Sequence, residues 1–174
     1  MEPISTFLPA CRQLSAGEFC RRHPHPFVVC STLGAGAAQT PRVDTGVMTI
    51  DRLVLDGNSQ VGEDGAAALK DTYRVGVLAP REPGSSVVTL GCSSRVDVRI
   101  DDGSLSKRHA VVIKADAGYR LRDNDSSAGT QLNGELLSQG DWKELSTGDR
   151  ITMGMVDLIF LMPEDFQQFV LRLF

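Results

Sequence analysis

The chain has 174 residues, 41% of them hydrophobic, and a formal net charge of −4 at pH 7, which is enough material for one domain with or without appended segments. The negative charge argues against nucleic acid as the main partner, because neutralising phosphates requires a basic surface. No run approaches the roughly 18 apolar residues of a membrane span and no signal-peptide pattern opens the chain, so we expect a cytoplasmic protein with no membrane partner.

The N-terminal region, residues 1–25, is predicted to form a helical extension. Ser15 and Glu18 have the spacing of a capping box, which pairs the backbone N–H groups that the first turn of a helix leaves unbonded. Pro24 and Pro26 then end the helix. The apolar run that follows favours a strand, and we place a β-region from residue 26 to residue 162.

Four cysteines lie at irregular spacing, which in a chain of this length indicates reduced thiols. Cys20, His23, His25 and Cys30 are zinc-ligand types, but their spacing matches no common zinc motif. No Ser or Cys nucleophile has a recognisable base near it in the sequence. We therefore expect neither a metal nor catalysis, and an enzyme that uses Cys20, His23 and His25 is the alternative from another class.

Two glycine-containing stretches look like ligand loops but lack essential parts. Residues 33–39 follow a β run, as a dinucleotide-binding loop does, but the third glycine is missing and Pro41 interrupts the helix such a loop needs. Residues 56–60 begin like a calcium loop, without its turn glycine or terminal Glu. We therefore expect no cofactor, and we interpret residues 56–68 as an exposed loop or insertion.

Strand patterns dominate the remainder of the β-region. Residues 47–55 and 73–78 are apolar β runs, and residues 96–100 and 119–122 alternate strictly between apolar and polar side chains. A Gly-Asp turn near residue 148 precedes a further hairpin. The period of two predicts that the following residues are buried: Val96, Val98, Ile100, Val112, Leu121, Ile151, Val156 and Leu158.

Residues 163–174 are predicted to form a C-terminal amphipathic helix. Acidic residues lie in its first turn and Arg172 in its last, as the helix dipole favours. Its apolar residues fall on one face: Phe166, Phe169, Val170, Leu173 and Phe174. That face must be covered, either by the sandwich and the N-terminal helices or, as the alternative, by a homodimer or other partner through the terminal helices.

Three polar signatures interrupt the strands: Thr89-Leu90-Gly91-Cys92, then Leu105-Ser106-Lys107-Arg108-His109-Ala110, then the run from Asp123 to Gly134. A fourth pattern, Leu-x-x-Gly-Asp-x-Ile-x-x-Gly, spans residues 145–154. In this order they closely resemble the forkhead-associated (FHA) domain, a phosphothreonine-peptide-binding β-sandwich. The resemblance covers about residues 73–162, the predicted core of the β-region. It implies an all-β, FHA-type antiparallel β-sandwich, here with short N-terminal helices and the C-terminal helix.

The resemblance also implies roles for individual residues. The serine of the Ser-x-x-His box donates to phosphate, which corresponds to Ser106, and Lys107 adds positive charge. Ser127 donates to phosphate or frames the pocket. The remaining motif residues are structural: Gly91, His109, Asp123, Gly129, Thr130, Asn133 and Gly134.

Two positions depart from the family pattern. Cys92 stands where the family has an arginine that binds phosphate, and Ala128 stands where it has an asparagine that grips the peptide backbone. Losing a charge-assisted bond (~1.5–3 kcal/mol) and a neutral one (~1 kcal/mol) predicts affinity lower by roughly 10²- to 10³-fold. Arg95, three residues after Cys92, is the candidate replacement for the missing guanidinium, and a solvated loop cation is its alternative interpretation.

Two functional hypotheses follow from the resemblance. The first is a non-enzymatic interaction module that binds a threonine-phosphorylated protein partner, with weakened affinity. The alternative is a degenerate FHA scaffold that binds a partner independently of phosphorylation. Binding to phosphorylated and unphosphorylated peptides distinguishes the two.

Overall fold

The computed structural model describes residues 1–31 and 73–174. The predicted strand at residues 47–55, the stretch at 33–39 and the predicted loop or insertion at 56–68 lie outside this range. The described elements before the gap are β1 (Glu2–Pro3), a 3-10 helix (Ile4–Phe7), α1 (Leu8–Gln13), α2 (Ala16–Arg22) and β2 (Phe27–Ser31). The capping box predicted at Ser15 and Glu18 is present at the start of α2.

After the gap the chain is mainly β-structure and ends in one helix. The elements are β3 (Tyr73–Val77), β4 (Val87–Gly91), β5 (Val98–Arg99), β6 (Ala110–Ala115), β7 (Gly118–Asp123), β8 (Thr130–Leu132), β9 (Glu135–Leu136), β10 (Lys143–Leu145), β11 (Arg150–Met153), β12 (Val156–Leu161) and α3 (Pro163–Leu173). The predicted C-terminal helix is therefore present, with Phe174 following its last residue.

The strands form two sheets. The seven-stranded sheet has the order β1-β3-β2-β12-β11-β8-β9, and the five-stranded sheet has the order β10-β7-β6-β4-β5. Neighbouring strands are antiparallel in every described pair except β4 and β5, which are parallel. The two sheets pack face to face around a shared core, which confirms the predicted all-β sandwich.

The space between the sheets is filled by side chains that alternate along the strands. Leu90 and Val112 enter it from the five-stranded sheet, and Ile151 and Leu158 enter it from the seven-stranded sheet. All eight residues predicted to be buried are at most 6% exposed, namely Val96, Val98, Ile100, Val112, Leu121, Ile151, Val156 and Leu158. The period-two pattern therefore identified the inner faces of both sheets.

The segment from Val96 to Ile100 differs from its predicted strand. Only Val98 and Arg99 pair with a neighbouring strand, although Val96 and Ile100 are also buried. The reason lies at Asp97, whose carboxylate accepts hydrogen bonds from the backbone N–H and the hydroxyl of Thr89, both at 2.7 Å. At the beginning of this segment, hydrogen bonds to the Asp97 side chain therefore take the place of backbone pairing with a neighbouring strand.

A second apolar core lies on the outer face of the seven-stranded sheet. Phe27 and Val29 of β2 and Val75 of β3 point to this face, opposite to Val28, and the three helices cover them. The rings of Phe27 and Phe166 stack with centroids 3.9 Å apart and an angle of 12° between their planes. Burial of four side chains of α3 completes this core: Phe166, Phe169, Val170 and Leu173.

Polar contacts join the two ends of the chain beside this core. The buried amide of Gln167 in α3 donates to the carbonyl oxygens of Cys11 and Leu14 at 3.0 and 2.9 Å. The guanidinium of Arg12 donates to the carbonyl of Phe174 at 2.9 Å. The apolar face of α3 is thus packed within the chain against α1, α2 and the sheet, the first of the two covers that the sequence suggested.

Candidate functional site

Two loops are held together by their backbones at one end of the five-stranded sheet. The loop from Cys92 to Asp97 follows β4, and the loop from Ile100 to His109 precedes β6. The N–H groups of Cys92 and Ser93 donate to the carbonyls of Ser106 and Lys107 at 3.2 and 3.3 Å. The Gly-Cys turn and the Ser-x-x-His box are therefore adjacent in the fold, as the family resemblance implies.

Gly91 permits this close approach because it has no side chain. A Cβ at Gly91 would lie 2.5 Å from the carbonyl oxygen of Lys107 and 2.7 Å from that of Ser106. Both atoms belong to backbone that is itself bonded to the neighbouring loop, so neither can move away cheaply. The glycine is required by contact between loops.

A third loop, from Asn124 to Gly129, brings Ser127 to Ser106. The Ser127 N–H donates to the hydroxyl oxygen of Ser106 at 3.0 Å, and the two hydroxyl oxygens are 3.5 Å apart. Ser106 is half-buried and Ser127 is exposed. The two hydroxyls therefore lie next to each other at the surface, and we call Ser106 and Ser127 the serine pair.

His109 fixes the loops beneath the serine pair and is fully buried. Its Nδ1 accepts the N–H of Ser106 at 3.1 Å, so the ring proton must be on Nε2. Nε2 can then donate to the carbonyl oxygen of Gly129 at 3.0 Å. A single imidazole therefore connects the two serine-bearing loops, which is a positioning role.

Asp123 organises the third loop from below. Its carboxylate accepts hydrogen bonds from the hydroxyls of Ser126 and Thr130, both at 2.6 Å, and from the Ser126 N–H at 2.9 Å. Burial alone would raise the pKa of Asp123, but these hydrogen bonds outweigh it and hold the pKa below its ordinary value. The Ser126 hydroxyl also accepts the N–H of Gly129, which has φ of 77°.

Asn133 and Gly134 close the turn between β8 and β9. The Asn133 amide donates to the Asp149 carboxylate at 2.8 Å, and its oxygen accepts the Arg150 N–H at 2.9 Å. Both turn residues have positive φ, 52° for Asn133 and 85° for Gly134. Their bonds run to the Gly-Asp turn of the closing pattern, so these two motifs support each other.

The two positions that depart from the family pattern lie in loops at the same end of the sandwich but differ in exposure. Cys92 is half-buried; its thiol donates to the carbonyl of Leu105 at 3.2 Å, and its side chain packs against the inter-sheet core. Ala128 is exposed directly after Ser127. Cys92 therefore faces the interior, and Ala128 presents only a methyl group.

Three exposed cations belong to the two joined loops: Arg95, Lys107 and Arg108. Sequence analysis selected the first two and overlooked Arg108, although its place inside the Ser-x-x-His box was a usable signal. Arg95 has its backbone N–H bonded to the hydroxyl of Ser93 at 3.2 Å. Positive charges on adjacent loops favour an anionic ligand at this end of the sandwich.

Sequence analysis also missed the residues that hold the loop of Arg95. The Arg81 guanidinium donates to the carbonyl of Ser94 at 2.9 Å, and its backbone N–H donates to the Asp97 carboxylate at 2.8 Å. Burial raises the pKa of Asp97, but bonds from Thr89 and Arg81 more than reverse that effect and lower it. Nothing in the local sequence identifies these partners, since they come from a separate turn.

The region around His23 is an aromatic cluster. The His23 ring lies 4.5 Å from Phe19 and about 6 Å from Phe7 and Phe27, measured between centroids. Burial raises the pKa of the Cys30 thiol to about 11, which keeps it protonated. Within residues 1–31 and 73–174, no three His, Cys, Asp or Glu side chains converge as metal ligands would.

Comparison with known proteins identifies the segment that carries these loops. Residues 88–154 match the family model described as the FHA domain. The chain is 31% identical over 104 residues to an ABC transporter ATP-binding/permease protein of Mycobacterium tuberculosis, covering 60% of this chain and 11% of that protein. It is 32% identical over 73 residues to an oxoglutarate dehydrogenase inhibitor of Corynebacterium diphtheriae, covering 42% and 49%. The chain thus spans half or less of the length of these relatives.

Solved structures of FHA domains resemble the chain as well. One comes from a structural and functional analysis of phosphothreonine-dependent FHA domain interactions, with 18% identity, coverage of 79% of this chain and 96% of that chain, and a TM-score of 0.47. An FHA domain from Chlamydia trachomatis has 15% identity, covers 78% and 96%, and has a TM-score of 0.47.

Across the described residues, no helix has the length and apolar character needed to cross a membrane. The match to the family model runs from β4 to the end of β11 and includes strands of both sheets. Gly91, the serine pair and His109 all lie within residues 88–154, the segment that matches the FHA domain model.

Proposed function

We propose that the chain is a non-enzymatic interaction module that binds a protein partner phosphorylated on threonine. The observation that carries the proposal is the serine pair, whose hydroxyl oxygens are 3.5 Å apart. Lys107 follows Ser106 in the same loop, and the loop of Arg95 is hydrogen-bonded to that loop. A phosphothreonine has about −1.5 to −2 charges and three acceptor oxygens at pH 7. Hydroxyl and cationic donors that converge from several loops match this ligand.

Each donor has a distinct role in this proposal. The Ser106 hydroxyl accepts the Ser127 N–H, and its own proton is directed at the Ser127 hydroxyl oxygen 3.5 Å away. That proton can turn to a phosphate oxygen without breaking the bond from the Ser127 N–H. Ser127 and Lys107 supply a second hydroxyl and a charge. Arg95 supplies the guanidinium that the family places at the position of Cys92, because both residues belong to the same loop.

Affinity is expected to be lower than that of a domain with the complete family pattern. The Cys92 thiol is engaged with the carbonyl of Leu105, and Ala128 offers no side-chain hydrogen bond to a peptide backbone. Arg95 can replace the positive charge of the family arginine, but it does not replace the hydrogen bond to the peptide backbone that is missing at Ala128. The degenerate scaffold, which binds its partner without regard to phosphorylation, is the competing proposal that these same two positions support.

The remaining proposals concern the extent and setting of the module. We propose that the sandwich unit spans residues 26–162, with residues 1–25 and 163–174 as helical additions. A homodimer through the terminal helices would have to use their outer surfaces, because the buried face of α3 is already packed within the chain. We propose a cytoplasmic location, where phosphorylated protein partners occur.

Titration calorimetry with matched phosphothreonine and threonine peptides, selected from a peptide array, tests the proposal. Wild type should bind the phosphorylated peptide more tightly, and Ser106→Ala should lose about 10- to 100-fold in affinity. Ser86→Ala is the matched control. Ser86 is exposed and directly precedes β4, at the end of that strand opposite to the site loops. Equal binding of both peptides would favour the degenerate scaffold.

Arg95→Ala and Cys92→Arg separate the sources of charge. If Arg95 substitutes for the family arginine, Arg95→Ala should weaken phosphopeptide binding, whereas Cys92→Arg should strengthen it or leave it unchanged. If the site is defunct, the double change Cys92→Arg with Ala128→Asn should restore phosphate-dependent binding. Low-micromolar, phosphate-dependent binding that survives Arg95→Ala would contradict both versions.

A further inference from the structure

Two large apolar side chains are exposed beside the serine pair. Among the described residues, five large hydrophobic side chains are exposed, and Leu136 is the most exposed of them at 62%. Met155, at 50%, is another, and its N–H donates to the hydroxyl of Ser104 at 3.0 Å, two residues before Ser106. The charged end of the sandwich therefore has apolar groups at its border.

Leu136 contacts the loop of the serine pair directly. A Cβ at Gly129 would lie only 2.9 Å from Leu136 Cδ1, so the leucine methyl group rests over the glycine. Gly129 is two residues from Ser127, and its carbonyl oxygen is bonded to His109. The Leu136 side chain therefore borders the loop that carries Ser127.

The position of Leu136 in the sheet leaves its outer side open. It lies in β9, the edge strand of the seven-stranded sheet, where it pairs with Gln131. The next residue, Leu137, turns inward and is 6% exposed. Leu137 thus contributes to the core at this point, whereas most of the Leu136 side chain is exposed to solvent.

We propose that Leu136 is a specificity-determining residue that contacts an apolar side chain of the bound peptide close to the phosphothreonine. The inference rests on the proposed function and adds to it a requirement on sequence. The contacts to phosphate distinguish phosphorylated from unphosphorylated peptides. Leu136 discriminates among phosphorylated peptides, because an apolar peptide side chain packed against it buries apolar surface on both partners. A partner with a charged residue at that position is rejected, because it would lose hydration against the leucine methyl groups.

A phosphothreonine peptide library randomised at the flanking positions provides the test. Wild type should favour an apolar residue at one position, by about tenfold over aspartate, as expected for a single apolar contact. Leu136→Gln should abolish that preference while phosphorylated peptides still bind better than unphosphorylated ones. Leu171→Gln is the matched control, since Leu171 is a leucine in α3 that is 39% exposed, and it should retain the preference.

Two outcomes overturn the proposal without affecting the proposed function. Phosphate-dependent binding in which Leu136→Gln keeps the apolar preference shows that another group, such as Met155, selects the peptide. Phosphate-dependent binding with no apolar preference in wild type shows that no such selection exists. If wild type instead binds phosphorylated and unphosphorylated peptides equally, the proposed function itself fails, and this inference fails with it.

Discussion

The outer face of the seven-stranded sheet and the site loops at the end of the five-stranded sheet are stabilised in different ways. The outer face is covered by helices whose aromatic rings are stacked or buried, with Phe27 and Phe166 3.9 Å apart. The site end depends on short hydrogen bonds among Asp123, Ser126, His109 and the backbone. Burial of apolar area is tolerant of small changes in geometry, whereas a hydrogen-bonded loop frame is specific to its atoms. Substitutions in the helix-covered core should therefore lower the stability of the whole fold. Substitutions in the hydrogen-bonded loops should mainly change the geometry of the site.

The largest effect is expected from removing residues 163–174. Phe166, Phe169 and Val170 are at most 6% exposed, and each buried side chain contributes roughly 1.5–3 kcal/mol. The truncated protein should melt at a lower temperature or aggregate, because the outer face of the sheet becomes exposed. Thermal unfolding and size-exclusion chromatography measure this, and an unchanged melting temperature and solubility would show that the helix is dispensable.

The next effect is expected from Gly91→Ala, which introduces a methyl group where two backbone oxygens lie within 2.7 Å. Relieving that overlap requires the loops to separate, at a cost of about 1–3 kcal/mol. The measurement is the free energy of unfolding in urea. Gly103→Ala is the control, because a Cβ at Gly103 would meet nothing within 4 Å, and a similar loss in both variants would contradict this account.

Asp123→Asn should damage the site frame with a smaller effect on the whole fold. The amide cannot accept all the hydrogen bonds that the carboxylate receives from Ser126 and Thr130, and a cost of about 1.5–3 kcal/mol is expected. Because folding lowers the pKa of Asp123, the carboxylate contributes stability above its ordinary value of 3.8, and this is lost as the pH falls through its folded value.

Unfolding of wild type and Asp123→Asn between pH 7 and pH 3 checks this prediction. The stability difference between the two proteins should shrink at the acid end, because the unfolded wild-type chain takes up a proton at Asp123 before the folded protein does. Asp141→Asn is a suitable control because Asp141 is exposed in a separate loop. A difference that stays constant with pH would show that the Asp123 charge is unimportant.

The smallest effect on stability is expected from replacing His23, which lies among phenylalanine rings in the core between the helices and the seven-stranded sheet. Burial, together with the charge of Arg22, lowers the pKa of His23 from its ordinary value of 6.5. Neutral His23 is therefore favoured by folding, and stability should decline as the pH falls below about 6.5. The decline in melting temperature between pH 7 and pH 5.5 should be smaller in His23→Phe, and an identical decline in both proteins would exclude His23 as its source.

Sequence patterns predicted the inner faces of the sandwich because alternation is a local property. Val112 and Leu158 are buried for the same period-two reason, and both were identified. The motif segments were likewise recognised from their residue types and order. What the sequence could not provide was the direction of Cys92 or the bonds of Arg81, since each depends on a carbonyl oxygen distant along the chain.

Leu136 illustrates the same limit at the candidate site. The alternation at residues 135–137 does not reveal which of two adjacent leucines faces the core, and both have the composition of a buried strand. Its relevance depends on contact with Gly129, which becomes visible only when β8 and β9 are paired. Apolar residues at the rim of a binding site are therefore harder to identify from sequence than charged motif residues.

The amide of Gln167, bonded to the carbonyl of Cys11 across 156 residues of sequence, has a consequence for biosynthesis. Chains are made at about 5–20 residues per second, so α3 leaves the ribosome roughly 8–30 s after α1. During that interval the aromatic side chains of α1, α2 and β2 lack the partner ring of Phe166. The N-terminal segment of the nascent chain therefore exposes apolar surface for much of its synthesis. The yield of folded protein in cells should depend on chaperones that bind such exposed segments.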